Sequence, residues 1–420
     1  MKKWLLFIYL LAFLVMLMKG NTGQAQAVAY DQYAHALLKG QRKVSIPFTF
    51  VHNFIIIKVK LYGVVPVNLI YDTGAEHVII FKKFYTDLLQ VEYDKRVPVI
   101  GADLSRKIFA LITRNAMLEI EGLAAKPYDL LILEEDYFNL DELVGVPIDG
   151  LIGGGFFRNL IIHIDYRNRN MTLYDPAYFV MPKDYISLPI RIKTNKPYID
   201  AETSLQDGTV VQVDLLIDTG AGIPLLLHTN SHESLRLPAH YIRGKLGMGL
   251  GGYLEGYIGR INKLKVGEIE FQGLLTSFQE ISEEWLVDRD RFRNGILGNQ
   301  LLSRFSVYFD YINGQLLLKP YSKKQKPFSM DRSGLVIFAF SDDFNKFVVK
   351  DIIESSPADE ADIRPDDVIS RIQGLPAKCF GLSIRRILVF ARRYSASNWR
   401  FRWWVCGRSR ISPCGARSSA

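Results

Sequence analysis

The chain repeats itself once, at a spacing of 146 residues, and that repeat limits the folds open to it more than any other feature. Residues 69–80 read LIYDTGAEHVII and residues 215–226 read LLIDTGAGIPLL. The approaches match as well, VPVNLIYDTGA against VQVDLLIDTGA. Val65, Val67 and Leu69 alternate as a strand with one buried face requires. The register persists, with Leu118 and Ile120 corresponding to Leu264 and Val266, and Gly101 to Gly247. One residue of drift later, GLIGGGFFRNLIIHIDYRN (150–168) matches GILGNQLLSRFSVYFDYIN (295–313). Gly150 then pairs with Gly295, Gly153 with Gly298, Asp165 with Asp310 and Tyr166 with Tyr311. A period this long is not that of a solenoid; it describes two similar lobes.

An isolated Asp-Thr-Gly is good turn chemistry, because Asp bonds its own backbone and Gly allows positive φ. Two such turns in equivalent lobes are a different matter. Related lobes can bring equivalent turns together at a two-fold axis, here Asp72 and Asp218. Two adjacent carboxylates cannot both ionise easily, so the pair shares one proton over a range of pH. One can then take a proton from water while the other gives one to a carbonyl oxygen. The apparent pKa values of such a pair belong to the pair, not to either residue.

These paired motifs, each followed by an apolar-apolar-Gly strand, resemble the aspartic proteases over about residues 44–320. The closing segment GILGNQLLSRFSVYFDYINGQLLLKP is similar to that of pepsin-like enzymes, and alanine after each DTG is more like the retropepsins. The resemblance implies a bacterial, single-chain, two-lobed retropepsin-like protease. Its fold would be mainly β, the two-lobed acid-protease fold, with an N-terminal lobe at 44–182 and a C-terminal lobe at 183–320. It implies that Asp72 and Asp218 hold the lytic water, and that Thr73 and Thr219 interlock across the dyad. Gly74 and Gly220 would permit close approach, with Ala75 and Ala221 beside them. Gly153 and Gly298 would lie behind the dyad. It implies a polypeptide substrate, no cofactor and no metal. A flap is expected in each lobe, at residues 101–107 and 247–259, which makes Gly101, Gly247, Gly249 and Tyr253 candidate substrate contacts; Tyr257 is a further one, although a tyrosine there also suits core or surface. GMGLGG resembles a dinucleotide loop, but the glycines at 256 and 259 argue against the helix that reading needs. His77 has no counterpart in the second motif and is not expected to be catalytic. Without a hydroxyl after each DTG to favour the charged form, the dyad should titrate high, giving a weakly acidic to neutral optimum.

The ends carry separate information. Lys2 and Lys3, an apolar run from Trp4 to Met18 and AQA at 25–27 have the order of a secretory signal peptide, assigned to 1–27. The protein is therefore expected to be exported, to a bacterial periplasm or envelope or beyond it; membrane attachment would follow only if that run were retained. Residues 28–43 read either as a short propeptide or as a disordered lead. The formal charge of +8 is local, since residues 385–420 hold nine Arg and no Asp or Glu. Nucleic-acid binding, which needs a basic folded face, is not expected. Three Cys are too few for a disulfide framework.

Residues 321–331 are charged, contain Pro327 and read as a linker. Beyond them, Ser356-Pro357 is a helix start and Val368–Ile372 a strand. SSPADEADIRPDDVI resembles a PDZ domain, assigned to 332–395, although Asp362 and Asp366 stand where that family usually has Gly. The resemblance implies a peptide C-terminus as ligand, with Gly334 and Leu335 in the carboxylate loop; packing without a ligand is the other reading. Residues 396–420 do not read as the strands that would finish such a domain and have the composition of a frameshifted end. Two functions from different classes fit the whole: an exported aspartic endopeptidase, or a catalytically silent peptide-binding protein that keeps the cleft. A self-processing zymogen is a third.

Overall fold

Alternating apolar runs broken by Gly and Asn become strands, and the chain is mainly β. The structure, a computed structural model, describes residues 34–377 except 101–106, 138, 250–251, 289–291, 323–325, 329–330, 332, 341–343 and 373–374, together with the backbone of 402–406 and 416–418. The leader at 1–27 lies outside the described residues.

Two large sheets repeat one plan. In the first, strand Val65–Asp72 pairs in parallel with Gly150–Gly153, which pairs antiparallel with Val78–Ile80. In the second, Val210–Asp218 pairs in parallel with Gly295–Gly298, which pairs antiparallel with Leu225–His228. Register is conserved to the residue, with Asp72 opposite Gly153 and Asp218 opposite Gly298. One detail is exchanged between the copies. In the first, the Asn68 N–H donates to the Asp149 carboxylate at 2.8 Å; in the second, the Asp214 N–H donates to the Asn294 side-chain oxygen at 2.8 Å. The same bond is made with acid and amide swapped.

A third sheet of six strands draws on both halves. Ile161–Asp165 pairs antiparallel with Phe305–Asp310, flanked by Lys43–Pro47 and Asn170–Tyr174 on one side and Gln315–Pro320 and Ile186–Pro189 on the other. One continuous apolar core runs beneath all three sheets and includes Tyr71, Phe157, Leu215, Phe305 and Phe309.

Three expectations change here. Ala34, Leu37 and Leu38 are buried in that core, and the Ala124 N–H donates to the Leu37 carbonyl at 2.8 Å, so residues 34–43 belong to the folded body and are not a loose lead. Leu38→Ala should therefore cost about 2–5 kcal/mol in urea denaturation, as other emptied core sites do; a cost near zero would return the segment to the status of a lead. The linker at 321–331 is not free either. Phe328 is buried under the Arg304 guanidinium, and Arg260 donates to its carbonyl at 2.9 Å. Finally, Arg402–Cys406 pairs with Val368–Ile372, so the boundary drawn at residue 395 cuts across a sheet.

In the C-terminal module the short helix Pro357–Glu360 starts on Ser356, whose Oγ accepts from the Asp359 N–H, and Val368–Ile372 is a strand. Asp362 and Asp366 have φ of 53° and 71°, the left-handed region that glycine favours, which explains why Asp can replace it there: its short polar side chain tolerates that region. The module touches both halves of the body. Lys245 pairs with Asp351 at 2.7 Å, and helix Leu140–Val144 lies against strand Leu335–Phe340.

Candidate active site

The two DTGA turns meet. Each follows the last residue of a strand whose parallel neighbour ends in glycine, and in each copy that glycine abuts the turn. A Cβ on Gly153 would lie 2.7 Å from the Ala75 carbonyl oxygen, and one on Gly298 would lie 2.9 Å from that of Ala221. Only glycine lets crossing strand and turn come this close.

The threonines lock the turns together. The Thr73 N–H donates to Thr219 Oγ1 and the Thr219 N–H to Thr73 Oγ1, both at 3.0 Å. Each hydroxyl then donates across to the other copy, Thr73 to the Ile217 carbonyl at 2.7 Å and Thr219 to that of Tyr71 at 2.8 Å. Both side chains are fully buried. The four bonds form a closed ring with two-fold symmetry, and every buried donor in it has an acceptor.

That ring sets the carboxyls of Asp72 and Asp218 side by side, both partly exposed. Asp72 Oδ1 accepts from the Gly74 N–H at 2.8 Å and the Ala75 N–H at 3.1 Å. Asp218 Oδ1 accepts from the Gly220 N–H at 2.7 Å. A Cβ on Gly74 would sit 2.5 Å from Asp218 Cγ, and one on Gly220 would collide with the Asp72 carboxylate in the same way. Each turn's glycine thus makes room for the other copy's acid.

The dyad is electrostatically lopsided. Burial pushes the Asp72 carboxyl well up from the ordinary range, and the neighbouring Asp218 pushes it further; the Gly74 amide and Lys196 oppose this only in part. Burial raises Asp218 too, but the hydrogen bond from Asp72, the Gly220 and Ala221 amides and the Arg293 guanidinium pull it back. Both carboxyls are raised, so the pair as a unit retains one proton above the ordinary carboxylate range. Tyr71 and Tyr311 lie beneath, both kept as neutral phenols by burial.

Of the remaining candidates, Gly247 and Gly249 lie on strand Tyr241–Gly249, which forms a hairpin with Gly252–Arg260. The first copy has its equivalent hairpin, Lys95–Ile100 with Lys107–Glu119. Gly101 and the Tyr253 side chain lie outside the described residues. Tyr257 stacks edge-on against Tyr241 at 5.1 Å. His77 is exposed and offers its carbonyl to the Gly153 N–H. Gly334 precedes and Leu335 begins strand Leu335–Phe340 of the C-terminal module. The Leu335 N–H is taken by Ser333 Oγ at 3.2 Å, its side chain is buried in the module's core, and the Gly334 carbonyl accepts from Ile353.

Sequence reasoning passed over Arg293, Tyr198 and Lys196. A signal for Arg293 was available. In the register that pairs Gly150 with Gly295, it stands opposite Ile148, a charge replacing a core residue.

Residues 202–301 match the family model described as Aspartyl protease. The match takes in Asp218, Thr219, Gly220 and Gly298, and it supports protease function in general terms. The first copy lies outside it. No curated protein matches the chain. What fold and comparison together define is a mainly β protein carrying an aspartyl protease domain.

Proposed function

We propose that the protein is an exported aspartic endopeptidase that hydrolyses polypeptides with a water activated between Asp72 and Asp218. The observation that supports this reading is the closed Thr73–Thr219 ring, which joins the two turns beside Asp72 and Asp218, where burial raises both carboxyls. In the mechanism the Asp218 carboxylate takes a proton from the water as it attacks the peptide carbonyl. Asp72 gives its proton to the developing oxyanion. The protons then return through the same pair as the amide nitrogen leaves. In this reading the hairpins of the two copies would cover an extended substrate.

The test is incubation of the chain from Val28 onward with an unfolded-protein digest between pH 4 and 7.5, new termini being read by mass spectrometry, alongside Asp72→Asn. Cleavage by the parent and not by the variant supports the dyad. Binding of peptides without cleavage by either would favour the silent binder.

The pH profile is a second expected result. Catalysis needs one proton on the pair. Burial raises both carboxyls, so the acid limb, where the pair takes its second proton, and the alkaline limb, where it loses its last, both move up. The optimum should be weakly acidic to neutral. Ala75→Ser and Ala221→Ser each add a donor that favours the charged form, and should move the profile toward acid. An unmoved profile would mean that the backbone amides already saturate the carboxylates.

A further inference from the structure

The two aspartate turns are braced differently. In each half a tight turn joins two strands ahead of the strand that carries the aspartate: His52-Asn53 between Thr49–Val51 and Phe54–Leu61, and Thr194-Asn195 between Arg191–Lys193 and Lys196–Ser204. All four residues have positive φ, 49° and 66° in the first turn and 46° and 62° in the second. Asn53 and Asn195 are therefore counterparts, yet their side chains go to different places.

The turn of the first half crosses to the aspartate turn of the second. Asn53 Nδ2 donates to the Gly222 carbonyl at 2.8 Å, and a Cβ on Gly222 would lie 2.9 Å from the His52 carbonyl oxygen, so the approach is close. Asn299 completes the contact. Its Nδ2 donates to the Asn53 carbonyl at 2.6 Å, its Oδ1 accepts from the Tyr166 hydroxyl, and its backbone N–H donates to the Ala221 carbonyl at 2.7 Å. Asn299 is fully buried, and both polar ends of its side chain are satisfied. Ala221 and Gly222 directly follow Asp218-Thr219-Gly220, and the carbonyl of each is thus held by one asparagine.

The first copy is built otherwise. In the register that pairs Gly150 with Gly295, Gly154 stands in the place of Asn299, and a Cβ there would lie 2.7 Å from the Tyr311 hydroxyl, which leaves no room for a side chain. Asn195 accepts from the Arg158 guanidinium at 2.7 Å instead.

We propose that Asn53 and Asn299 are positioning residues for Asp218: they fix the peptide units that follow its turn, so that the Gly220 N–H, 2.7 Å from Asp218 Oδ1, holds the carboxyl in the orientation that proton transfer needs. This rests on the endopeptidase reading. Misplacing a reacting group by about 1 Å can cost about a hundredfold in rate, so losing one bond of the brace should cost about tenfold.

Asn53→Gly removes the side chain but keeps the carbonyl and suits the positive φ, so the turn itself is retained. In peptide cleavage it should lower kcat about tenfold and leave KM within about twofold of the parent. Asn195→Gly makes the same change in the counterpart turn and should leave kcat unaltered. Equal losses in the two variants, or an Asn53→Gly that loses thermal stability with kcat intact, would overturn the positioning role and leave the protease standing. Adding Asn53→Gly to Asn299→Gly should cost little more than Asn299→Gly alone, because members of one bonded unit are not additive. Fully additive losses would reject a shared brace, and if Asn299→Gly does not fold, the two turn variants decide by themselves. If the parent cleaves nothing, the endopeptidase reading fails instead, and NMR titration of the aspartate carboxyls decides the brace. A loosened Gly220 bond favours the charged form less, so Asn53→Gly should raise the lower apparent pKa of the Asp72–Asp218 pair by about 0.5 or more, and Asn195→Gly should leave it in place. Identical titrations would reject the brace.

Discussion

Asp72→Asn and Asp218→Asn should each lower peptide cleavage by about 10²–10⁴-fold while leaving the fold intact, the range expected for losing a positioned acid or base. Neither change removes a carboxylate's shape, so the Gly74 and Gly220 amides keep an acceptor. Both variants should differ from the parent in stability. Burial raises the folded pKa of Asp72, so relative to the unfolded chain the native state is most stable at low pH, and it loses that advantage as pH rises through the folded value. Asparagine cannot ionise. Asp72→Asn should therefore be more stable than the parent at neutral pH, with the gain fading as pH falls toward the unfolded carboxyl range. Burial raises Asp218 as well, so Asp218→Asn should gain in the same direction. Thermal unfolding of both variants across pH 3–8 reads this directly. A gain that grows toward acid would contradict a pair raised by burial.

Thr219→Val should be the most damaging conservative change in the body. It keeps the volume but strips two bonds, leaving the buried Thr73 N–H without an acceptor and the Tyr71 carbonyl without a donor. Each orphaned buried group costs about 1–3 kcal/mol, so the expected loss is about 2–6 kcal/mol. That is a large part of the 5–15 kcal/mol that holds a typical domain together. Thr73→Val should cost a similar amount through Thr219 and Ile217. The ring also holds the carboxylates together, so activity should fall even at temperatures where the variants remain folded. Urea titration together with cleavage assays tests both halves. A cost below about 0.5 kcal/mol would mean that the six-stranded sheet, and not the ring, joins the halves.

Much of this site could be read in the chain because it is local and written twice. The DTGA turns, the glycines at 153 and 298 and the strands leading to them follow from alternation, turn chemistry and a common register, none of which needs the third dimension. The same holds for Ser356-Pro357 at its helix start. The errors came where a short segment borrows its structure from distant parts. Residues 34–43 and 321–331 are polar enough to read as loose, yet Leu38 and Phe328 are buried by strands remote from them in sequence.

The amino-acid sequence by itself determined that there are two like halves, that each ends a strand on an aspartate, and that glycine stands wherever turn and crossing strand touch; periodicity and backbone sterics act over a few residues and are visible in them. Only the tertiary structure decided that the hydroxyls of Thr73 and Thr219 close a ring between the halves and that burial raises both carboxyls of the pair. Those are outcomes of burial and of distances between strands far apart in the chain, and desolvation and Coulomb interaction depend on where groups finish in space, not on their order along the backbone.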